Sequence, residues 1–164
     1  MKKYFLFLLL FVFGSLNCYS QSIKFGDLIY FTGLTNGEVY DYLNQGVTFR
    51  QLYTMDVDGQ KLQYFKNIIG KPNSEKIITG AYVKLFNGTY LRKITYTSQN
   101  GQSIINMIAQ AQNYGLTLKF RGADYYNNIY LLDDSYYMVS IYLRRDLSSG
   151  LVEIKQKEVF GQAD

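Results

Sequence analysis

Residues 33–53 read GLTNGEVYDYLNQGVTFRQLY, and a change of period inside this stretch decides the fold class. Thr35-Asn36-Gly37-Glu38 has the form of a capping box: the threonine hydroxyl takes an orphan amide and the glutamate reaches back to the N–H of the cap residue. Leu34 and Val39 flank it at the spacing of a hydrophobic staple. Val39, Tyr42 and Leu43 then recur at i, i+3, i+4, which predicts the buried stripe of a helix, and Gly46 is expected to supply the left-handed stop. From Val47 the period becomes two. Val47, Phe49, Gln51 and Tyr53 alternate with Thr48, Arg50 and Leu52, as a half-buried strand requires.

The same signals extend in both directions. Upstream, Phe25, Leu28 and Ile29 mark one face of a short helix ending at Gly33. Downstream, Asp58-Gly59 predicts a hairpin whose return strand is Lys61 to Lys66, and Asn87-Gly88 predicts a second between Ile77–Phe86 and Thr89–Thr97. A third helix is expected over Gln102 to Tyr114, with Ile104, Ile105, Ile108 and Ala111 as its apolar stripe and Gly115 as its end. Leu116, Leu118 and Phe120 alternate with polar residues, and further strands are expected at Asn128–Leu132, Tyr136–Arg144 and Leu151–Lys157. The expected fold is α+β, a largely antiparallel sheet with helices on one face, in the order ααββββαββββ. The stretches Gln45-Gly46-Val47-Thr48-Phe49-Arg50 and Tyr114-Gly115-Leu116-Thr117-Leu118-Lys119 share one scheme. They divide the domain into two candidate related halves, 22–97 and 98–158.

Residues 1–20, MKKYFLFLLLFVFGSLNCYS, combine Lys2 and Lys3, an apolar run and small residues, the pattern of a secretory signal peptide. Cleavage after Ser20 would leave residues 21–164 as a single exported domain, periplasmic or extracellular; lipoprotein anchoring at Cys18 is the alternative. Cys18 is the only cysteine and histidine is absent, so the exported part has no thiol nucleophile, no disulfide and no imidazole base or ligand. No cofactor or metal site is expected. Loss of Lys2 and Lys3 from the 17 basic residues, set against 13 acidic ones, leaves too little net charge to predict a nucleic-acid partner.

At Gly33-Leu34-Thr35, Glu38-Val39 and Tyr42-Leu43 the chain resembles the helix-turn-helix entrance of the β-lactamase-inhibitor-protein-like fold, shared by the small lipoprotein of the outer-membrane barrel-assembly machine. The resemblance covers residues 25–50. It implies an exported binding module that offers a sheet face or loops to another protein and performs no catalysis. Asn44-Gln45-Gly46 stands where the family has Gly-x-Pro, and the inhibitor's disulfides are absent.

Few residues combine into reactive groups. Asp56-Val57-Asp58-Gly59 resembles the start of a calcium loop but lacks its closing glutamate, and a turn explains it. Asp133-Asp134, with Asp27, Glu38 and Asp41, supplies the carboxylates a glycan hydrolase would need; sequence neighbours do not face each other across a sugar. Asn87-Gly88-Thr89 matches a glycosylation acceptor that the turn accounts for. Tyr125, Tyr126, Tyr136 and Tyr137 flank one expected hairpin, with Arg144-Arg145 near its end, and form the nominated binding surface. The expected function is an exported, non-catalytic interaction module of the bacterial cell envelope or exterior, with an envelope or extracellular protein as partner. A carboxylate-dependent glycan hydrolase and a structural envelope component are the alternatives.

Overall fold

The computed structural model describes residues 23–57, 59–69 and 74–158. The signal-peptide segment, Cys18 and Asp58 lie outside the described residues. Helix α1 (Phe25–Thr32) is followed by α2 (Asn36–Gln45) and by strands β1 (Phe49–Val57), β2 (Gln60–Asn67), β3 (Glu75–Lys84) and β4 (Tyr90–Ser98). Helix α3 (Gly101–Asn113) then leads into β5 (Thr117–Ala123), β6 (Asn127–Asp133), β7 (Tyr137–Arg144) and β8 (Gly150–Gln156). The strands form one eight-stranded sheet in the order β1-β2-β3-β4-β8-β7-β6-β5, every neighbouring pair antiparallel. Each run of four is an antiparallel meander in chain order, and the two runs meet through their last strands, β4 and β8.

The helix starts follow from local chemistry. Thr35 Oγ1 accepts from Glu38 N at 3.3 Å, and Glu38 Oε2 accepts from Thr35 N at 2.7 Å, so two orphan amides of α2 are satisfied reciprocally. Those hydrogen bonds to Thr35 hold the Glu38 carboxyl below its ordinary pKa. Asp27 serves α1 in the same way, accepting from Lys24 N at 2.8 Å, and the Asn100 side chain accepts from Gln102 N at the start of α3. Gln110 on α3 accepts from Phe25 N at 2.8 Å and ties α3 to the start of α1.

Strand alternation builds the core. Phe65, Ile77, Ile94, Tyr96, Val152, Ile154, Val139, Ile141 and Leu132 are all buried. The pairings Phe65↔Ile77, Ile77↔Tyr96, Tyr96↔Val152 and Val152↔Ile141 form one row, and Ile94↔Ile154, Ile154↔Val139 and Val139↔Leu132 form a second beside it on the same face. Phe25, Leu28, Phe31, Val39, Ile104 and Met107 from the helices join the same cluster. At about 1.5–3 kcal/mol for each large apolar side chain buried, this cluster is the main source of stability.

Three local expectations change. Gly46 is right-handed (φ −68°), and Val47 takes the left-handed conformation (φ 55°). Val47 is 63% exposed, so its branched side chain stands clear of neighbours, and the strand begins at Phe49. At the second junction Gly115 itself is left-handed (φ 104°), so the two six-residue stretches are out of step by one at the point where the chain reverses. A register shift between Gln51 and Tyr53 then breaks the alternation read from the sequence. Phe49 is buried, whereas Tyr53 pairs with Tyr64 on the opposite face. A second shift lies between Leu118 and Phe120 in β5, both of which are exposed rather than core residues.

Candidate functional site

The four nominated tyrosines follow from two turns with the same chemistry. Asp124 Oδ1 accepts from Tyr126 N (2.7 Å) and Asn127 N (2.6 Å); Asp134 Oδ1 accepts from Tyr136 N and Tyr137 N, each at 2.7 Å. Each aspartate mimics a backbone turn and orders the residues after it. The backbone bond from Asn127, then that from Tyr126, holds the Asp124 carboxyl below its ordinary range.

These turns lie at opposite ends of β6. Seven residues at about 3.3 Å each put them roughly 20 Å apart, so the four rings do not form one surface. Tyr125 and Tyr126 are 82% and 61% exposed, and their rings meet edge to face at 4.7 Å. The Tyr126 carbonyl accepts from Arg145 N at 2.9 Å, which fixes this turn against the end of β7. Neighbouring Arg144 is paired with Asp146 at 3.6 Å. At the far end Tyr136 is exposed, while Tyr137 packs against the core. The expectation of one outward ring per pair thus describes Tyr136/Tyr137, whereas both rings of the first pair face solvent because they sit in the turn, outside strand alternation.

Of the acidic candidates Asp41 is exposed on α2, and the others have structural partners. Asp133 lies between Lys157 (2.8 Å) and Lys119 (3.7 Å), and the hydrogen bond from Lys157 is the main cause of its lowered pKa. Asp134 holds the turn, and Asp27 and Glu38 cap helices. Asp56 stands opposite Lys61 in the β1–β2 hairpin, whose Gly59 is left-handed at φ 75°. Asn87 Oδ1 accepts from Thr89 N beside left-handed Gly88, as its turn reading requires. Among the described residues no group of three or more Cys, Asp or Glu is placed to hold a metal ion. No helix among them is long and apolar enough to cross a membrane.

Two features were not identified from the sequence. An open hollow of about 430 Å³ lies where α2 meets β1, lined by Tyr40, Asn44, Val47, Phe49, Arg50, Gln51 and Ile68. Arg50 also begins a line of cations, with Lys66 and Lys76, across three adjacent strands. Residues far apart in sequence reach that line only through the hairpin registers, and Arg50 stands opposite Lys66 only because of the register shift between Gln51 and Tyr53. Comparison with protein-family models, with curated proteins and with solved structures finds no match to this chain.

Proposed function

We propose that this protein is an exported, non-catalytic binding module of the bacterial envelope or exterior that recognises another protein through the Tyr125/Tyr126 turn. One observation carries the reading: two adjacent, largely exposed aromatic rings stand on a turn held by Asp124 and by the end of β7. Aromatic rings fixed in this way lose little entropy on binding and are typical anchors of interfaces. In this reading the helices all pack on the buried face of the sheet and the other face is open. Supporting this, α1 touches β4 and β8, α3 touches β7 and β8, and buried residues share one face. The family resemblance and the mirrored order of the two four-stranded runs fit the same picture and an origin of the halves by duplication. The ion-paired and capping roles of the acids favour binding over glycan hydrolysis.

Photo-crosslinking in the native envelope tests this. A photoreactive phenylalanine at Tyr125 should give a discrete adduct with one protein, and the same group at Tyr136 should not. Tyr125→Ala and Tyr126→Ala should each weaken association with that protein by more than about 1 kcal/mol while melting is unchanged. Equal adducts from both positions, or binding indifferent to both substitutions, would refute this assignment.

A further inference from the structure

The alternation that buries Phe65 and Ile77 sends Lys66 and Lys76 to the other face of the sheet. There Arg50 stands opposite Lys66, and Lys66 opposite Lys76. Adjacent strands lie about 4.8 Å apart, so the three cations form a line about 10 Å long. Like charges directly across a sheet are destabilising. Elsewhere on the same face the chain relieves such a clash: Lys93 opposes Lys155, and Glu153 pairs with both, at 3.4 and 2.8 Å. Arg50, Lys66 and Lys76 form no ion pair among the described residues. At the open-face positions of β1, β2 and β3 the neighbours Tyr53, Met55, Leu62, Tyr64 and Ile78 include no acid.

We infer that this line is a recognition site for the carboxylates of an acidic protein segment, which supply the charge the sheet withholds. The inference uses the open-face reading above but not the Tyr125/Tyr126 contact. Charge complementarity alone would admit any polyanion; the surroundings select among them. Tyr53, Tyr64 and Ile78 form an apolar row beside the cations. The two tyrosine rings stack on each other at 4.4 Å and 25°, so one face of each is engaged within the pair. Apolar side chains of a peptide cover such a row. Acids at i, i+4 and i+7 of a helix recur every ~5 Å, which matches the strand spacing. A bilayer fits less well. Phe86, fully exposed at the β3–β4 turn, is the side chain best placed to insert, and it lies ten residues from Lys76, roughly 30 Å along the strand direction.

The test is titration of the exported protein, at low and at physiological salt, with four probes. These are a helical peptide with glutamates at i, i+4 and i+7 beside leucines, its glutamine counterpart, heparin, and phosphatidylglycerol vesicles. The glutamate peptide should bind with a salt-dependent affinity, and the glutamine peptide should not. Lys66→Gln and Lys76→Gln should each weaken binding about fivefold, corresponding to about 1 kcal/mol, while Tyr125→Ala leaves it unchanged. Because both lysine substitutions remove a like-charge contact, Tm should hold or rise. Lys76 is exposed, so its variant is the safer test of binding with the fold intact. Equal binding of both peptides, preference for heparin or vesicles, indifference to both lysine substitutions, or a fall in Tm on their removal would overturn the inference.

Discussion

Tyr96→Phe isolates one buried hydrogen bond at the centre of the sheet. Tyr96 is fully buried on β4, and its hydroxyl donates to Glu75 Oε1 on β3 at 2.5 Å. Phenylalanine fills the same space, so no cavity opens and the loss is that of the hydrogen bond. Bonds to a charged partner contribute about 1.5–3 kcal/mol, and for a domain of this size each kcal/mol moves Tm by about 3–4 °C. The expected drop is therefore about 5–10 °C in a calorimetric or circular-dichroism melt. Alkaline pH gives a second readout. Burial, with the adjacent Glu75 carboxylate, raises the Tyr96 pKa well above its ordinary 10.0. A folded-state pKa above the unfolded one gives stability that is complete below about pH 10 and declines as pH rises beyond it. Tyr82, raised by the same desolvation, adds to that decline. Tyr96→Phe should flatten the alkaline limb and leave the acid limb in place. A Tm within 2 °C of the parent (about 0.5 kcal/mol), or an unaltered alkaline limb, would show that the hydroxyl–carboxylate contact contributes nothing.

Thr35→Ala should lower stability by about 1 kcal/mol in urea denaturation, and Thr35→Ser by much less, because the cap at α2 is a hydroxyl bond to Glu38 N. Two glycines should respond in opposite directions. An added Cβ at Gly101 would fall 2.0 Å from the Leu147 carbonyl oxygen, so Gly101→Ala should lower Tm, whereas Gly26 has nothing within 4 Å and Gly26→Ala should raise stability by about 0.5–1 kcal/mol. Asp133, held low by Lys157, contributes stability that is present above its unfolded pKa and lost as pH falls through the folded one. Lys157→Met should therefore move its titration, followed by carboxyl NMR, upward towards the ordinary value.

Much of this architecture was legible because the turns announce themselves. The Thr35/Glu38 box, the Asn87-Gly88 turn and the apolar stripe of α3 are local devices, and their residues do what their chemistry requires. Less legible were the places where one residue is inserted into a strand. The register shifts near Leu52 and Lys119 carry no composition signal, yet each exchanges the faces of every residue beyond it. Val47 was missed for a related reason: an exposed residue can take a left-handed backbone that glycine was expected to take beside it. The sequence places the tyrosine pairs around one hairpin, but the structure sets them in two turns whose separation depends on the length of β6, and the cation line depends on two successive hairpin registers. Both are long-range quantities that no window of sequence contains.

The seam between β4 and β8 also constrains the order in which the molecule can be completed. β4 ends at Ser98, but its outer partner is the last strand, which ends at Gln156. A chain emerging N-terminus first, from a ribosome or a membrane pore, therefore presents the first four strands with the β4 edge unpaired until more than fifty further residues have followed. An unpaired edge of that kind is a template for foreign strands. Truncation before Gly150 would make the condition permanent and leave the β4 edge free to pair with other copies of the chain.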